Sequence, residues 1–330
     1  MAGSRVAPLA HALRRVARAV VPTLSTVALL GFTAAIAFAA MGHLPATRED
    51  QATQLPALIR ALHATAGEVE SELLFETVFT PDLRPAGEAE AVLYRLTLPA
   101  GTSLPAPAEP FSLCLRDLVA SGVGIEVVQS GTYGLRLETP IQVQRGGASG
   151  MVEELAARQE VLLGPGDAAI YADYAGQGTL RNAGQDPVVV LGMAIVSTAG
   201  TGINLPLPPV GVTVQLLASS FTSDWETLPA GPVAVSLWRL RLPAGTSVGP
   251  YAGAGLEAVA VESGTISRRF RRLAEHTPIL PLTQNAGVQS IFLRPAPGIR
   301  RSITSGDADA AVVLAASIEP EAIWSATLAP

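Results

Sequence analysis

Leu93–Ser103 reads LYRLTLPAGTS and Leu237–Ser247 reads LWRLRLPAGTS, with nine of eleven positions identical. The two stretches stand 144 residues apart, and so do the triplets Pro85–Gly87 and Pro229–Gly231. Two matches at one offset indicate a duplicated module of about 110–140 residues, within the usual size of a domain. Two copies are too few for a solenoid and suit a tandem pair of domains. Inside the repeat, Tyr94, Leu96 and Leu98 alternate with Arg95 and Thr97, as Trp238, Leu240 and Leu242 do with Arg239 and Arg241. A period of two is that of a half-buried strand, and the Pro-Ala-Gly that follows makes a turn.

Downstream of Leu73 the same grammar recurs. Short apolar runs at Gly124–Gly131, Glu160–Asp167, Val188–Val196, Val212–Leu217, Leu256–Gly264 and Ala311–Ile318 are separated by Gly, Pro, Asp and Asn. Many short strands with turn signals between them indicate a sandwich or barrel. The fold class expected is therefore all-β. Residues 73–198 form a first barrel and 212–320 a second. The Gly- and Pro-rich residues 199–211 link them, and 321–330 form a tail.

The 48% hydrophobic and 15% charged residues suffice for a sizeable core. Lysine is absent, so all 22 basic residues are arginine. Arg5, Arg14, Arg15 and Arg18 lie at the N-terminus, and the remainder carries 18 arginines against 28 acids. That balance disfavours nucleic acid as a partner. Cys114 is the sole cysteine, which excludes an intrachain disulfide and a cysteine metal cluster. It reads as a small buried apolar residue.

After Arg14, Arg15 and Arg18 come the 24 uncharged residues Ala19–Gly42, long enough to cross a bilayer core of about 30 Å as a helix. The arginines should stay cytoplasmic, which exports everything after residue 43. Residues 1–44 are thus expected to be a cytoplasmic tip and single-pass membrane anchor, with the remainder extracytoplasmic. Ala37-Phe38-Ala39 offers a small-x-small cleavage site, and secretion after signal cleavage is the alternative. Residues 45–72 read as a stalk. Within them Leu55, Leu58, Ile59 and Leu62 recur at helical spacing, which predicts a short packing helix around Leu55–Ala66.

Each copy resembles a cupin, the small jelly-roll barrel often found in tandem as a bicupin. The family's first motif runs glycine, His-x-His, glutamate, glycine. Its spacing is met in the second copy by Gly245, Tyr251, Gly253, Glu257 and Gly264. The first copy matches at Gly101, Glu126 and Gly131, with an insertion containing Phe111–Ala120 and with Glu126 two residues closer to its glycine. The second motif is met by Gly166-Asp167 and Arg181-Asn182-Ala183-Gly184 in copy one. Its histidine position falls on Gly178 or Gln177 there, and on Arg301 after Gly298 in copy two.

The resemblance implies three imidazoles and a carboxylate around one metal ion, and this chain departs from it. His11, His43 and His63 precede the repeats, and His276 lies away from every ligand position. No cupin-type metal site can be assembled from these residues, and no cofactor is expected. If the barrel is right, Tyr251, Glu257 and Arg301 converge in copy two, with Glu126 and Gln177 beside Tyr174 a thinner version in copy one. A buried glutamate needs a partner, and Arg301 supplies one with Tyr251 as hydrogen-bond donor. Two readings follow. In one, the group is a salt-bridged filling of the barrel or a pocket for a small polar or anionic ligand, in a protein that binds or interacts without catalysis. In the other, a metal-independent isomerase or lyase acts on a sugar or organic acid, with Glu257 as base and Tyr251 as acid.

The run Arg268, Arg269, Phe270, Arg271 and Arg272 is the basic cluster beyond the N-terminus. It reads as solvated charge at a strand end. Pairing of barrels into a homodimer is a further expectation, by analogy with the family. Gly146-Gly147 and Gly164-Pro165-Gly166 read as turns, because no helix follows as a phosphate loop requires.

Overall fold

The computed structural model describes residues 56–64, 69–80, 83, 89–106, 122–171, 178–197, 210–220, 231–253, 255–272, 278–293, 298–306 and 308–320. The predicted membrane segment, the insertion at Phe111–Ala120, most of the linker and the tail lie outside them. Among the described residues no helix is long and apolar enough to cross a membrane.

One short helix, α1 (Ala57–Ala64), precedes the strands. The first repeat contributes β1 (Glu70–Phe79), β2 (Ala89–Leu98), β3 (Ser103–Ala106), β4 (Gly122–Ser130), β5 (Tyr133–Leu137), β6 (Ile141–Arg145), β7 (Met151–Leu155), β8 (Glu160–Leu163), β9 (Ala168–Tyr171), β10 (Gly178–Asn182) and β11 (Val188–Ser197). The second contributes β12 (Thr213–Ser219), β13 (Val233–Leu242), β14 (Ser247–Tyr251), β15 (Leu256–Ser263), β16 (Thr265–Arg272), β17 (Pro278–Asn285), β18 (Ser290–Ile291), β19 (Ile299–Ser305) and β20 (Ala311–Pro320). The predicted all-β architecture holds. The strands expected from the apolar runs are β4, β8, β11, β12, β15 and β20.

The first barrel faces the sheet β3-β10-β5-β8 against part of the sheet β18-β12-β2-β11-β4-β9-β6-β7. The second faces β14-β19-β16-β17 against β1-β13-β20-β15. The repeats exchange their leading strands. β1, at the start of the first repeat, pairs antiparallel with β13 of the second, and β12, at the start of the second, pairs antiparallel with β2 of the first. Each leading strand covers an edge that the other repeat would leave unpaired. The strand pairing therefore divides the chain differently from a linear cut between residues 198 and 212.

The alternation within the repeat is carried through into packing. Tyr94, Leu96 and Leu98 enter the core of the first barrel, and Trp238, Leu240 and Leu242 that of the second. The opposite faces of these strands are buried as well: Leu93, Ile125, Leu191 and Met193 in one barrel, Phe75, Leu237, Ala258 and Ala316 in the other. Strands buried on both faces read as continuous apolar runs, which is why Val233–Leu237 breaks the alternation only with Ser236.

The outward arginines of the two repeat strands meet one carboxylate. Glu262 accepts from Arg95 at 2.5 Å through Oε1 and from Arg239 at 2.7 Å through Oε2. Arg95 also donates to Gln215, and Arg239 to Gln129 and Glu72. This network ties one repeat to the other at a point where Glu262 is 16% exposed. Glu262→Ala leaves two guanidiniums sharing no acid, and an expected loss of about 1–2 kcal/mol follows for a partly buried network. Denaturant unfolding measures it; an unchanged midpoint would show that the pairs contribute nothing.

The helix expected around Leu55–Ala66 is α1. Its apolar positions Leu58, Ile59 and Leu62, with Ala57, join the core of the second barrel beside Trp238 and Tyr251. The backbone N–H of Ala57 donates to Glu319 Oε1 at 3.3 Å, which places an acid at the positive helix end. This part of the expected stalk is thus a packing element of the second barrel.

Candidate functional site

The inner face of the second barrel carries a polar row. By register Glu257 of β15 stands opposite Ser317 of β20, Ser317 opposite Ser236 of β13, and Ser236 opposite Glu76 of β1. Directly paired residues share a face, so these side chains lie on one side of the sheet. The Ser236 and Ser317 hydroxyls are 2.9 Å apart, and Trp238 Nε1 donates to Ser236 Oγ at 3.2 Å.

Across the barrel stand Tyr251 of β14, Arg301 of β19 and Arg268 of β16. Tyr251 follows Val248 by three residues, and strict alternation would turn their side chains to opposite faces. A register shift between Val248 and Tyr251 in the pairing with β19 inserts the extra residue that turns Tyr251 inward, opposite Arg301. The Tyr251 hydroxyl donates to Glu257 Oε1 at 2.7 Å. Arg301 Nη1 lies 3.6 Å from the same oxygen, an ion pair longer than a hydrogen bond. Gly253 makes room: a Cβ there would come within 2.8 Å of Arg301 Nη1. Tyr251, Glu257 and Arg301 are 5%, 3% and 5% exposed, so the predicted trio does assemble, inside the barrel.

Arg268 is the residue that sequence reasoning missed. The expectation of solvated charge for Arg268–Arg272 is corrected at this position: Arg268 is 3% exposed, whereas Arg269 and Arg271 face solvent. Period two along β16 could have signalled it, since Arg268 shares its face with the buried Ile266. Its guanidinium sits 5.9 Å from the centroid of the Phe270 ring. Burial pulls its pKa below the ordinary arginine value, opposed by the charge of Glu257. Burial, reinforced by the charge of Glu257 and the hydrogen bond to it, pushes the Tyr251 phenol well above its ordinary value. The tyrosine is therefore held as a donor.

Glu76, on the polar row, has its carboxyl pushed by burial up to about 7. A folded-state pKa above the unfolded value near 4.5 means that the native chain binds the extra proton. The associated stability is complete below about pH 4.5 and is lost as pH rises through 7, a change of roughly 3 kcal/mol. Glu76→Gln should flatten that decline. Unfolding free energies of both proteins across this window check it, and parallel curves would refute the assignment.

The first barrel is built differently. Glu126 of β4 is 3% exposed and accepts from Tyr94 at 3.1 Å and from Tyr133 at 2.8 Å. Burial pushes its carboxyl up, against hydrogen bonds from Tyr133, Tyr94 and Tyr171. Gln177 and Tyr174, expected beside Glu126, lie outside the described residues. Matching the pairing of β4 and β15 with their neighbours sets Gly124 where the second barrel has Glu257, and Glu126 where it has Val259. Leu135 and Gly178 likewise occupy the places of Arg268 and Arg301. The two barrels therefore share a frame without sharing a site.

The second-motif residues of copy one hold turns. Asp167 accepts from Gly146 and Gly164 backbone N–H and from Arg145, each at 3.0 Å. Burial raises the carboxyl, but these bonds outweigh it and hold the group below its ordinary value. Asn182 donates to the Leu98 and Asp186 carbonyls and accepts from Gly184 N–H.

The residues of the second barrel do not fit a cation. The positions that correspond to ligands carry Tyr251, Gly253 and Arg301, and two guanidiniums beside Glu257 would repel one. Among the described residues no group of three or more His, Cys, Asp or Glu side chains converges.

No protein-family model matches the chain, and no curated protein matches it. Among solved structures, AerE from Microcystis aeruginosa is similar at 12% identity and a TM-score of 0.34, over 75% of this chain and 98% of that one. The cupin 2 conserved barrel domain protein from Leptotrichia buccalis is similar at 10% identity and a TM-score of 0.30, over 80% and 96%. Procruciferin, the 11S globulin from Brassica napus, is similar at 10% identity and a TM-score of 0.37, over 76% and 87%. All three matches are at low identity, and one of the three proteins is described as a cupin barrel domain protein.

Proposed function

We propose that this chain is a membrane-tethered, extracytoplasmic double barrel whose second barrel binds a small polar ligand without catalysing its conversion. The buried group of Tyr251, Glu257 and Arg301 carries the reading. Such a group is costly to retain in a core, where apolar residues of the same volume would serve stability at least as well. Its retention is explained by recognition of a polar molecule. The non-catalytic reading rests on the tyrosine, whose phenol is locked as a donor to Glu257, and on Glu257 itself, which already has two partners. A phenol held so firmly as a donor is not poised to exchange a proton near neutrality. Tethering rests on the uncharged Ala19–Gly42 behind its arginines, and the chain is proposed to act where that segment exports it.

The test is thermal unfolding of the full chain, purified in mild detergent, against a panel of sugars, polyols and organic acids. A ligand that binds the native state alone raises the midpoint with its concentration. Stabilisation by at least one class, lost in Tyr251→Phe or Arg301→Met, supports the reading. Turnover of the stabilising compound would replace it with the isomerase or lyase alternative.

A further inference from the structure

We infer that the outer face of the sheet β14-β19-β16-β17 docks on a bilayer surface of anionic phospholipid, its exposed guanidiniums gripping the headgroup phosphates. The inference rests on the proposed tethering and needs no ligand inside either barrel. The four strands hold Arg268, Arg269, Arg271, Arg272, Arg300 and Arg301 and no Asp or Glu, in a chain with 28 acids and 22 arginines. Arg268 and Arg301 are buried, whereas Arg269, Arg271 and Arg300 are exposed. In the antiparallel pairing of β16 with β19, Arg271 stands directly opposite Arg300, and Arg269 lies two places along β16 on the same face. Strand spacing and rise put the three Cβ atoms within about 10 Å of one another.

Like charges directly opposite on a sheet face oppose folding. Among the described residues no carboxylate forms an ion pair with Arg269, Arg271 or Arg300. Their neighbours across the strands are uncharged where they are not arginine, as Ser302 is beside Arg269. The first barrel treats the same position differently: on the sheet β3-β10-β5-β8, Arg181 binds Glu160 at 2.5 Å and Arg136 stands opposite that glutamate. The open positive face therefore belongs to the second barrel.

Two observations select a bilayer as its occupant. α1 packs against β14, a strand of this sheet, and residues 43–56, between the uncharged Ala19–Gly42 and α1, reach at most about 50 Å when extended. A chain anchored by Ala19–Gly42 thus keeps the second barrel close to the lipid, and docking becomes an intramolecular event with a high effective concentration. The chemistry of the face also fits. A guanidinium keeps its charge and offers paired donors to phosphate oxygens. Each arginine near an anionic surface is worth about fivefold in partition, or roughly a hundredfold for three.

The experiment reconstitutes the full chain in nanodiscs of phosphatidylcholine, with or without phosphatidylglycerol, and follows phenylglyoxal modification of each arginine by peptide mass spectrometry. With phosphatidylglycerol, the rates at Arg269, Arg271 and Arg300 should fall about tenfold or more at low salt. They should recover near 1 M salt, where the Debye length is about 3 Å. Arg158, exposed on the first barrel, should react at one rate throughout. In the double variant Arg271→Gln, Arg300→Gln, most of the protection of Arg269 should be lost. Equal rates in the two kinds of disc overturn the inference, as does protection that spreads to Arg158. Equal protection by inorganic phosphate in phosphatidylcholine discs also overturns it, in favour of a free anion. A chain that fails to enter the discs refutes the tethering instead. The same rates measured with phosphatidylglycerol vesicles added to that chain then decide the docking alone, protection supporting it and its absence overturning it.

Discussion

Glu257→Ala is expected to lower the unfolding free energy by about 3–5 kcal/mol, among the largest effects of any single polar replacement in the chain. The carboxylate is 3% exposed and is the acid that Tyr251 and Arg301 share, with Arg268 in its field. Removing it takes a nearby counter-charge from buried guanidiniums and the acceptor from the Tyr251 phenol, and alanine fills none of the space. Glu257→Gln keeps shape and an acceptor oxygen but not the charge, so it should fall between wild type and alanine. Equilibrium denaturant titration of the three proteins decides it. A loss below 1 kcal/mol for alanine would mean that the cluster is solvated and not an interior ion group.

Gly192→Ala should be comparably severe for a different reason. Gly192 of β11 lies opposite both Tyr94 and Glu126, and the Tyr94 ring is laid across it. A Cβ at residue 192 would stand 1.9 Å from Tyr94 Cζ and 2.4 Å from both Cε atoms. The ring cannot swing aside cheaply, since Tyr94 is 1% exposed and its hydroxyl is bound to Glu126. Overpacking together with the lost hydrogen bond to a buried carboxylate should cost about 3–5 kcal/mol. The double variant Gly192→Ala, Tyr94→Leu removes the clashing ring, and it should lose less than the sum of the two single changes. Additive losses would place the clash elsewhere.

Both predictions depend on features that the sequence discloses unequally. Glu257 could be singled out from its spacing to Gly245 and Gly264, and Arg301 from its place after Gly298. Gly192 carried no such mark, because its role is to leave room for a side chain almost a hundred residues away in the chain, on the neighbouring strand. Arg268 was visible as one of a basic run, yet the run conceals that alternate members face opposite ways. Tyr251 was placed in the site by motif spacing alone, and only the bulge in β14 explains how it reaches the interior.

The amino-acid sequence by itself determined the duplication, the strand-rich architecture, the short helix before the strands and the poverty of imidazole that rules out the expected metal ligands. Those properties are local or compositional: periodicity, turn residues and residue types are written along the chain. The tertiary structure alone decided that β1 and β12 cross between the repeats, that Arg95 and Arg239 share Glu262, and that two arginines and one glutamate face each other inside the second barrel. Each of these is a pairing of residues distant in sequence, set by strand register and by which edge needs covering. Register is a property of two strands together, and a shift of one residue turns every side chain to the other face.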